Sequence, residues 1–570
     1  MTLALHDLLP ATLRRTWAVE GTCPDLDLYS LYRAHQIADP HRTAVLDAKG
    51  KLCYTALDRK ARCLAAGLLG LGVRPGDVVG VQLPDNRNAV IADLALAALG
   101  AVALPFPVGR GAREAASLLG RSEAAAVIAA AEHRGSMPAA ELLAHAGELP
   151  ALRTVVAAGR AGTAPAGAVA FSDLLRTDPK TFVPARPDPD TAARILVSSG
   201  SEAEPKMVAY SHNALAGGRG NFLGSLIPDG RPPRCLFLVP LASAFGSNGT
   251  SVALARHGGT LVLLDHFTPQ AALEALAEHE PDHVLGVPTM IRMMLDSLAQ
   301  GPPRPFAPPT ALVVGGSPLD EATAAEARRA FGCPVVHLYG SADGVNCHTG
   351  LAGGTPGGAG LPGIAAGHPD PRVTDIRIAA PGTRELEEVP RGTVGEIVAL
   401  GPMSPLCYVA APDLDARYRT AEGWVRTGDL GLIGEDGTLR VVGRLKDVVI
   451  RGGENISPAA VEIGLATHPG VRDVVCVGVP DPLMGQRLAA CVVARGEAAP
   501  TLAELCAHLE TRGLERRRHP ERLLVLDELP LTPAGKPDRA ALRARCAPGG
   551  TDGSRGEAEV GEQQPLAPAG

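Results

Sequence analysis

Residues 198–208 read "SSGSEAEPKMV" and follow directly on the apolar run "ARILV". Ser198, Ser199, Gly200 and Ser201 offer hydroxyls and a pliable backbone, and Lys206 offers an ammonium. At the end of a buried strand, that set makes a cradle for phosphate. Glu202 and Glu204 put negative charge into the same loop, and an ionised glutamate can only accept hydrogen bonds. Two unit charges ~5 Å apart at an effective dielectric of ~20 repel by roughly 3 kcal/mol. That is about two orders of magnitude in binding or turnover. Other candidates lie downstream: Tyr339 in "HLYGSAD", Asp429 in "VRTGDLG", Arg444 and Lys446 in "GRLKD", and Lys536 in "TPAGKPDR". Taken singly each has a plain reading. Asp429 can cap its own turn, Tyr339 can pack against neighbours, and Lys536 can be a solvated lysine.

The elements that must position these residues show a regular alternation. "TALDRKARCLAAGLLGLGV" has helical periodicity, "DVVGVQLP" reads as a buried strand, and a second apolar helix follows. After residue 190, "RCLFLVPL", "GTLVLLD", "DHVLGV", "TALVVGG" and "PVVHLYG" alternate with helical stretches such as "LDEATAAEARRAFG". Continuous apolar strands between helices predict an α/β fold whose mostly parallel, doubly wound sheets are covered on both faces. Beyond about residue 390 the pattern turns β-rich, with Asp436-Gly437 marking a hairpin. The 570 residues exceed one core. The expected units are residues 1–445, a compact α+β unit at 446–545, and a tail at 546–570 that is disordered by composition.

A formal net charge of −7 and 3% aromatic residues argue against nucleic acid as a partner. Eleven cysteines without C-x-x-C pairing read as reduced thiols of a cytoplasmic protein. The apolar stretch 89–108 is long enough to suggest a membrane span, but Asp93, Pro105 and Pro107 favour a buried helix running into a strand.

Six patterns in one order then carry a resemblance. "ILVSSGSEAEPKMV", "VVGGSPL" (313–319), "HLYGSAD" (337–343), "GWVRTGDLG" (423–431), "GRLKDVVIRGGENISPAAVE" (443–462) and "LPLTPAGKPDR" (529–539) resemble the motifs of the adenylate-forming superfamily. That superfamily includes acyl-CoA synthetases, luciferases and peptide-synthetase adenylation domains. The resemblance implies a large N-terminal domain and a small C-terminal domain that rotates between two half-reactions. A carboxylate first attacks ATP to give acyl-AMP, and a thiol, usually that of CoA, then attacks the acyl-AMP. It implies that Ser198–Ser201 and Lys206 meet phosphate, and that Gly315, Gly316, Ser317 and Pro318 border the adenine. Tyr339, with Gly340 and Ser341 beside it, would stack on that base. Asp429 and Arg444 would hold the ribose, and Lys446 would sit at the hinge. Gly452 and Gly453 would line the pantetheine tunnel, and Lys536 would neutralise charge between carboxylate and α-phosphate.

Departures from the family pattern cluster at the phosphates. The family loop runs Thr-Ser-Gly-Thr-Thr-Gly-x-Pro-Lys-Gly. Here Glu202 takes a threonine position, and Ala203 and Met207 take glycine positions. The tyrosine-glycine motif normally continues Thr-Glu, with the glutamate on Mg²⁺; here stand Ala342 and Asp343. The elements implied to serve thioester formation are intact. The expectation is an acyl-CoA ligase with impaired or absent adenylation that converts acyl-AMP and CoA to acyl-CoA and AMP, fed by a separate adenylating ligase. ATP and Mg²⁺ are then needed only if adenylation is retained. A complete ATP-dependent synthetase and a non-catalytic acyl-AMP-binding protein are the alternatives. The altered loop is also similar to that of acyl-CoA ligases of platensimycin-type diterpenoid antibiotic biosynthesis. The stretch "PLASAFGSNG" (240–249) lacks the acid of amino-acid-activating relatives. Ala242 and Ser243, beside Phe245, stand where synthetases often show Phe-His, which opens the pocket towards a bulky, largely apolar acid. "ERRRH" (515–519) reads either as a CoA phosphate contact or as a solvated basic face.

Overall fold

The computed structural model describes residues 5–160, 162–198, 205–301, 304–352, 361–383, 385–451, 454–496, 498–532, 536–546 and 559–560. Two eight-stranded sheets form the large N-terminal part. In one, the strands Val335–Gly340, Ala311–Gly315, His283–Gly286, Arg234–Phe237, Thr260–Leu263 and Thr43–Asp47 run parallel. Antiparallel strands close both edges. In the other, Ala192–Val197, Val102–Pro105, Val78–Gln82, Ala126–Ala130 and Thr154–Ala158 are parallel neighbours. The strand Met207–Ser211 then returns antiparallel to Ala192–Val197. The alternation and the helices predicted from apolar periodicity are realised.

The apolar stretch 89–108 resolves as expected. Helix Arg87–Leu99 is buried on nearly every face, which is why its hydropathy mimics a membrane span. It ends at Gly100, whose φ of +72° is a left-handed cap, and strand Val102–Pro105 follows. Among the described residues no helix is long and apolar enough to cross a membrane.

The β-rich region is a five-stranded antiparallel sheet. Within it, Val425–Ile433 and Leu439–Arg444 form the predicted hairpin, with Gly437 at φ +81° in the turn. A single turn, Leu445–Asp447, leads to the C-terminal sheet. Its long hairpin Val471–Asp481 with Gly485–Ala494 packs under helices Pro458–Ala466, Leu502–Thr511 and Arg539–Cys546. Arg292 ties the two parts together. Its guanidinium donates to Asp320 at 3.0 Å on its own side and to Asp473 at 2.6 Å in the C-terminal sheet. Of the expected tail, Cys546 closes the last described helix, and the two-residue strand Glu559–Val560 pairs along Arg522–Leu526. The rest lies outside the described residues. All eleven cysteines are free thiols.

Candidate active site

A cavity of about 1220 Å³ opens between the sheets, the β-rich region and the C-terminal part. Strand geometry builds the end where the resemblance puts the nucleoside (the nucleoside end). Asp429 and Arg444 are register partners across the hairpin, so their side chains share a face. Arg444 Nε donates to Asp429 Oδ1 at 3.0 Å, and the Tyr339 hydroxyl donates to Asp429 Oδ2 at 2.8 Å. Burial pushes the Asp429 carboxyl above its ordinary range, with Arg444 and the Tyr339 hydroxyl opposing it. The tyrosine is pushed well up by burial and by the aspartate, and Arg444 is raised chiefly by Asp429. Tyr339, Asp429 and Arg444 therefore form one hydrogen-bonded unit. Arg444, Gly340 and Ser341 line the cavity wall, whereas Tyr339, Asp429, Gly315, Ser317 and Pro318 are not among its lining residues.

Gly316 and Lys536 meet at this end. Gly316 has φ +86°, and a Cβ there would stand 3.4 Å from Lys536 Cε, so the lysine stem passes close over a backbone that favours glycine. Burial lowers the Lys536 ammonium to about 8, Arg444 lowering it further and Asp429 opposing. Lys536 thus lines the cavity.

The phosphate end is arranged differently. Residues 198–206 connect the antiparallel strands Ala192–Val197 and Met207–Ser211, with Ser198 N donating to Lys206 O at 2.9 Å. Lys206 Nζ lies 3.4 Å from Asp343 Oδ1, and the Tyr408 hydroxyl donates to that same oxygen at 2.7 Å. Ser341 Oγ reaches Asp343 Oδ2 at 3.4 Å. The ammonium also stacks 4.1 Å from the Tyr418 ring centre, a cation–π contact, and Lys446 Nζ lies 5.9 Å from the same ring. Met207, at a family glycine position, is a fully buried strand residue. Ala342 is buried too, with its carbonyl accepting from the Tyr210 hydroxyl at 2.9 Å. Ser199, Gly200, Ser201, Glu202, Ala203, Gly452 and Gly453 lie outside the described residues. Asp343 faces the Lys206 ammonium. The Mg²⁺ role that the resemblance implies for it calls for a single carboxylate beside substrate phosphates.

The wall that the resemblance assigns to the acyl group comes from residues 242–245 and Asn248. Ala242, Ser243 and Phe245 line the cavity as expected, and Ser243 Oγ donates to Pro240 O at 2.7 Å and accepts from Gly246 N at 2.9 Å, fixing the turn. Tyr408, Tyr418 and Arg219 went unnoticed in the sequence. They sit in stretches without family motifs; the scarcity of tyrosine in the chain is the one signal for Tyr408 and Tyr418, and Arg219 carries none. In "ERRRH", Arg517 and Arg518 both face Glu515, at 2.6 and 3.8 Å, which favours the solvated face.

The model of the AMP-binding enzyme family matches residues 33–409, and that of the AMP-binding enzyme C-terminal domain matches 460–536. The chain belongs to this adenylate-forming family. It is 32% identical over 524 residues to the salicyl-AMP ligase / salicyl-S-ArCP synthetase of Mycobacterium tuberculosis, covering 88% of each chain. It is 32% identical over 518 residues to a feruloyl-CoA synthase of Amycolatopsis, covering 89% of this chain and 96% of the other. Among solved structures, the amide bond synthetase McbA from Marinactinospora thermotolerans superposes with a TM-score of 0.77 at 26% identity, covering 91% of this chain and 100% of the other. The protein is accordingly an adenylate-forming ligase of a carboxylic acid.

Proposed function

We propose that this ligase works chiefly in the thioester-forming half-reaction, taking acyl-AMP and CoA to acyl-CoA and AMP. The observation that carries the reading is the contrast at the two ends of the cavity. Lys206 and Asp343, which would meet the β- and γ-phosphates and their metal, are engaged with each other and with Tyr408. Glu202 adds a like charge to the same loop. Acyl-AMP has only an α-phosphate, so neither feature opposes its binding. The nucleoside end is fully prearranged by Asp429, Tyr339 and Arg444.

In this reading the CoA thiolate attacks the acyl carbon and a C–S bond forms. The C–O bond to the phosphate breaks, and AMP leaves with the electron pair. Arg444 and Asp429 hold the nucleotide during the exchange, and the thiol proton passes to solvent. Gly452 and Gly453 would leave room for the pantetheine arm, and Lys446 would serve as the hinge between residues 1–445 and 446–545. A separate ligase would supply acyl-AMP. The likeness of the loop to diterpenoid antibiotic ligases is consistent with a bulky acid.

A second reading, a complete ATP-dependent acyl-CoA synthetase, is favoured by Lys536 in the cavity against Gly316 and by likeness to synthetases as a class. A paired assay separates them. Purified protein receives either acid, ATP, Mg²⁺ and CoA, or acyl-AMP and CoA, with a carrier-protein pantetheine as a parallel acceptor. Thioester from acyl-AMP alone is expected; equal rates from both would establish the complete synthetase.

A further inference from the structure

Arg194, Arg219, Arg426 and Arg451 are the arginines buried among the described residues. Arg194 pairs with Asp93 at 2.8 Å, Arg426 with Glu396 at 2.8 Å and Arg451 with Glu521 at 2.9 Å. Arg219, only 4% exposed, has no carboxylate partner among the described residues. Buried charges are ordinarily paired, because the cost of leaving water is otherwise uncompensated. The Arg219 guanidinium is held in place but not neutralised. Its Nη1 donates to Ala244 O at 2.8 Å and Ser247 Oγ at 3.0 Å, its carbon lies 4.9 Å from the Tyr210 ring centre, and its Nε has no partner.

The position of this cation gives it a use. Arg219 lines the same cavity as Ala242, Ser243 and Phe245, and it is bonded to the loop that forms the acyl wall. Asn248, from that loop, also lines the cavity, and its buried Oδ1 is unpartnered. Val239, Leu338 and Val345 add apolar lining, and Asn346 a further buried, unpartnered Oδ1.

We propose that Arg219 is a specificity-determining residue that selects acyl groups carrying an oxygen acceptor, a carbonyl or a second carboxylate, remote from the reacting carboxyl. This rests on the reading of the cavity as an acyl-AMP site and narrows the expectation of a largely apolar acid. A site built to bond an oxygen rejects the analogue lacking it, because its own polar group is then left unpaired.

The test measures binding, which needs neither half-reaction. Acyl-sulfamoyl adenosines from butanoyl to dodecanoyl, each ending in methyl, methyl ketone or carboxylate, are titrated calorimetrically against the full chain. At the best length, the ketone or carboxylate is expected to bind tenfold to a hundredfold more tightly than the methyl compound. Preference for the carboxylate identifies an anionic group, and preference for the ketone a neutral one. Arg219→Met should abolish the preference and Arg219→Lys should keep part of it. Equal binding of all three endings at every length overturns the proposal, as does a preference that survives in Arg219→Met, or no binding of any member where AMP binds. The wild-type series decides the matter even if the variants fail to fold. Failure of the thioester reading would appear only in the paired assay.

Discussion

The two ends of the cavity are built from similar parts and differ in what those parts face. At the nucleoside end a buried carboxylate, Asp429, is flanked by a guanidinium that its hairpin register delivers and by the Tyr339 hydroxyl from a neighbouring sheet. At the other end Asp343 is likewise flanked by a hydroxyl and a cation, Tyr408 and Lys206. In the first case the cluster leaves the groups proposed to hold the ribose oriented. In the second the partners are those that phosphate and metal would have to recruit. Neutralising a charge internally helps a fold, but it holds back a site whose ligand must supply the counter-charge.

The largest effect expected from breaking this comparison comes at the intact end. Asp429→Ala removes the group that orients Tyr339 and Arg444 and should lower the rate of acyl-CoA formation from acyl-AMP by about a hundredfold or more. A thermal melt run alongside separates this from unfolding. A loss below threefold would mean the unit does not hold the nucleotide.

Restoring the other end sharpens the comparison. The combined variant Glu202→Thr, Ala203→Gly and Ala342→Thr removes one loop carboxylate and returns two family donors. ATP-dependent thioester formation should rise by about tenfold to a hundredfold, with the acyl-AMP reaction within about twofold. No gain would place the obstacle elsewhere.

The smallest effect concerns pH. Burial lowers Lys536 to about 8, so its ammonium is present below that value and lost above it. Whatever acyl-AMP formation survives should fall as pH rises through about 8. Thioester formation from supplied acyl-AMP should lack this inflection. Lys536→Ala should remove it from the first reaction and leave the second nearly unchanged.

Much of this was legible in the sequence because it depends on local pattern. Apolar strands alternating with amphipathic helices gave the two α/β sheets. Asp436-Gly437 gave the hairpin that aligns Asp429 with Arg444, and the order of six motifs gave the family. Contacts between residues far apart in the chain were not legible. Lys206 meets Asp343 across 137 positions, and Tyr408 enters from a strand that pairs at the sheet edge. Nothing in the local composition of either marks the encounter. Arg219 was hidden for a related reason: an arginine in a short helix reads as solvated until the fold buries it away from any carboxylate.

The central claim is that this cavity suits a nucleotide with one phosphate better than one with three. The direct measurement is calorimetric titration of the same protein with AMP and with ATP–Mg²⁺ at one ionic strength. The account predicts that AMP binds at least as tightly as ATP–Mg²⁺. ATP–Mg²⁺ binding tenfold or more tightly than AMP would contradict it, and would mean that Lys206 and Asp343 part readily to accept the phosphates.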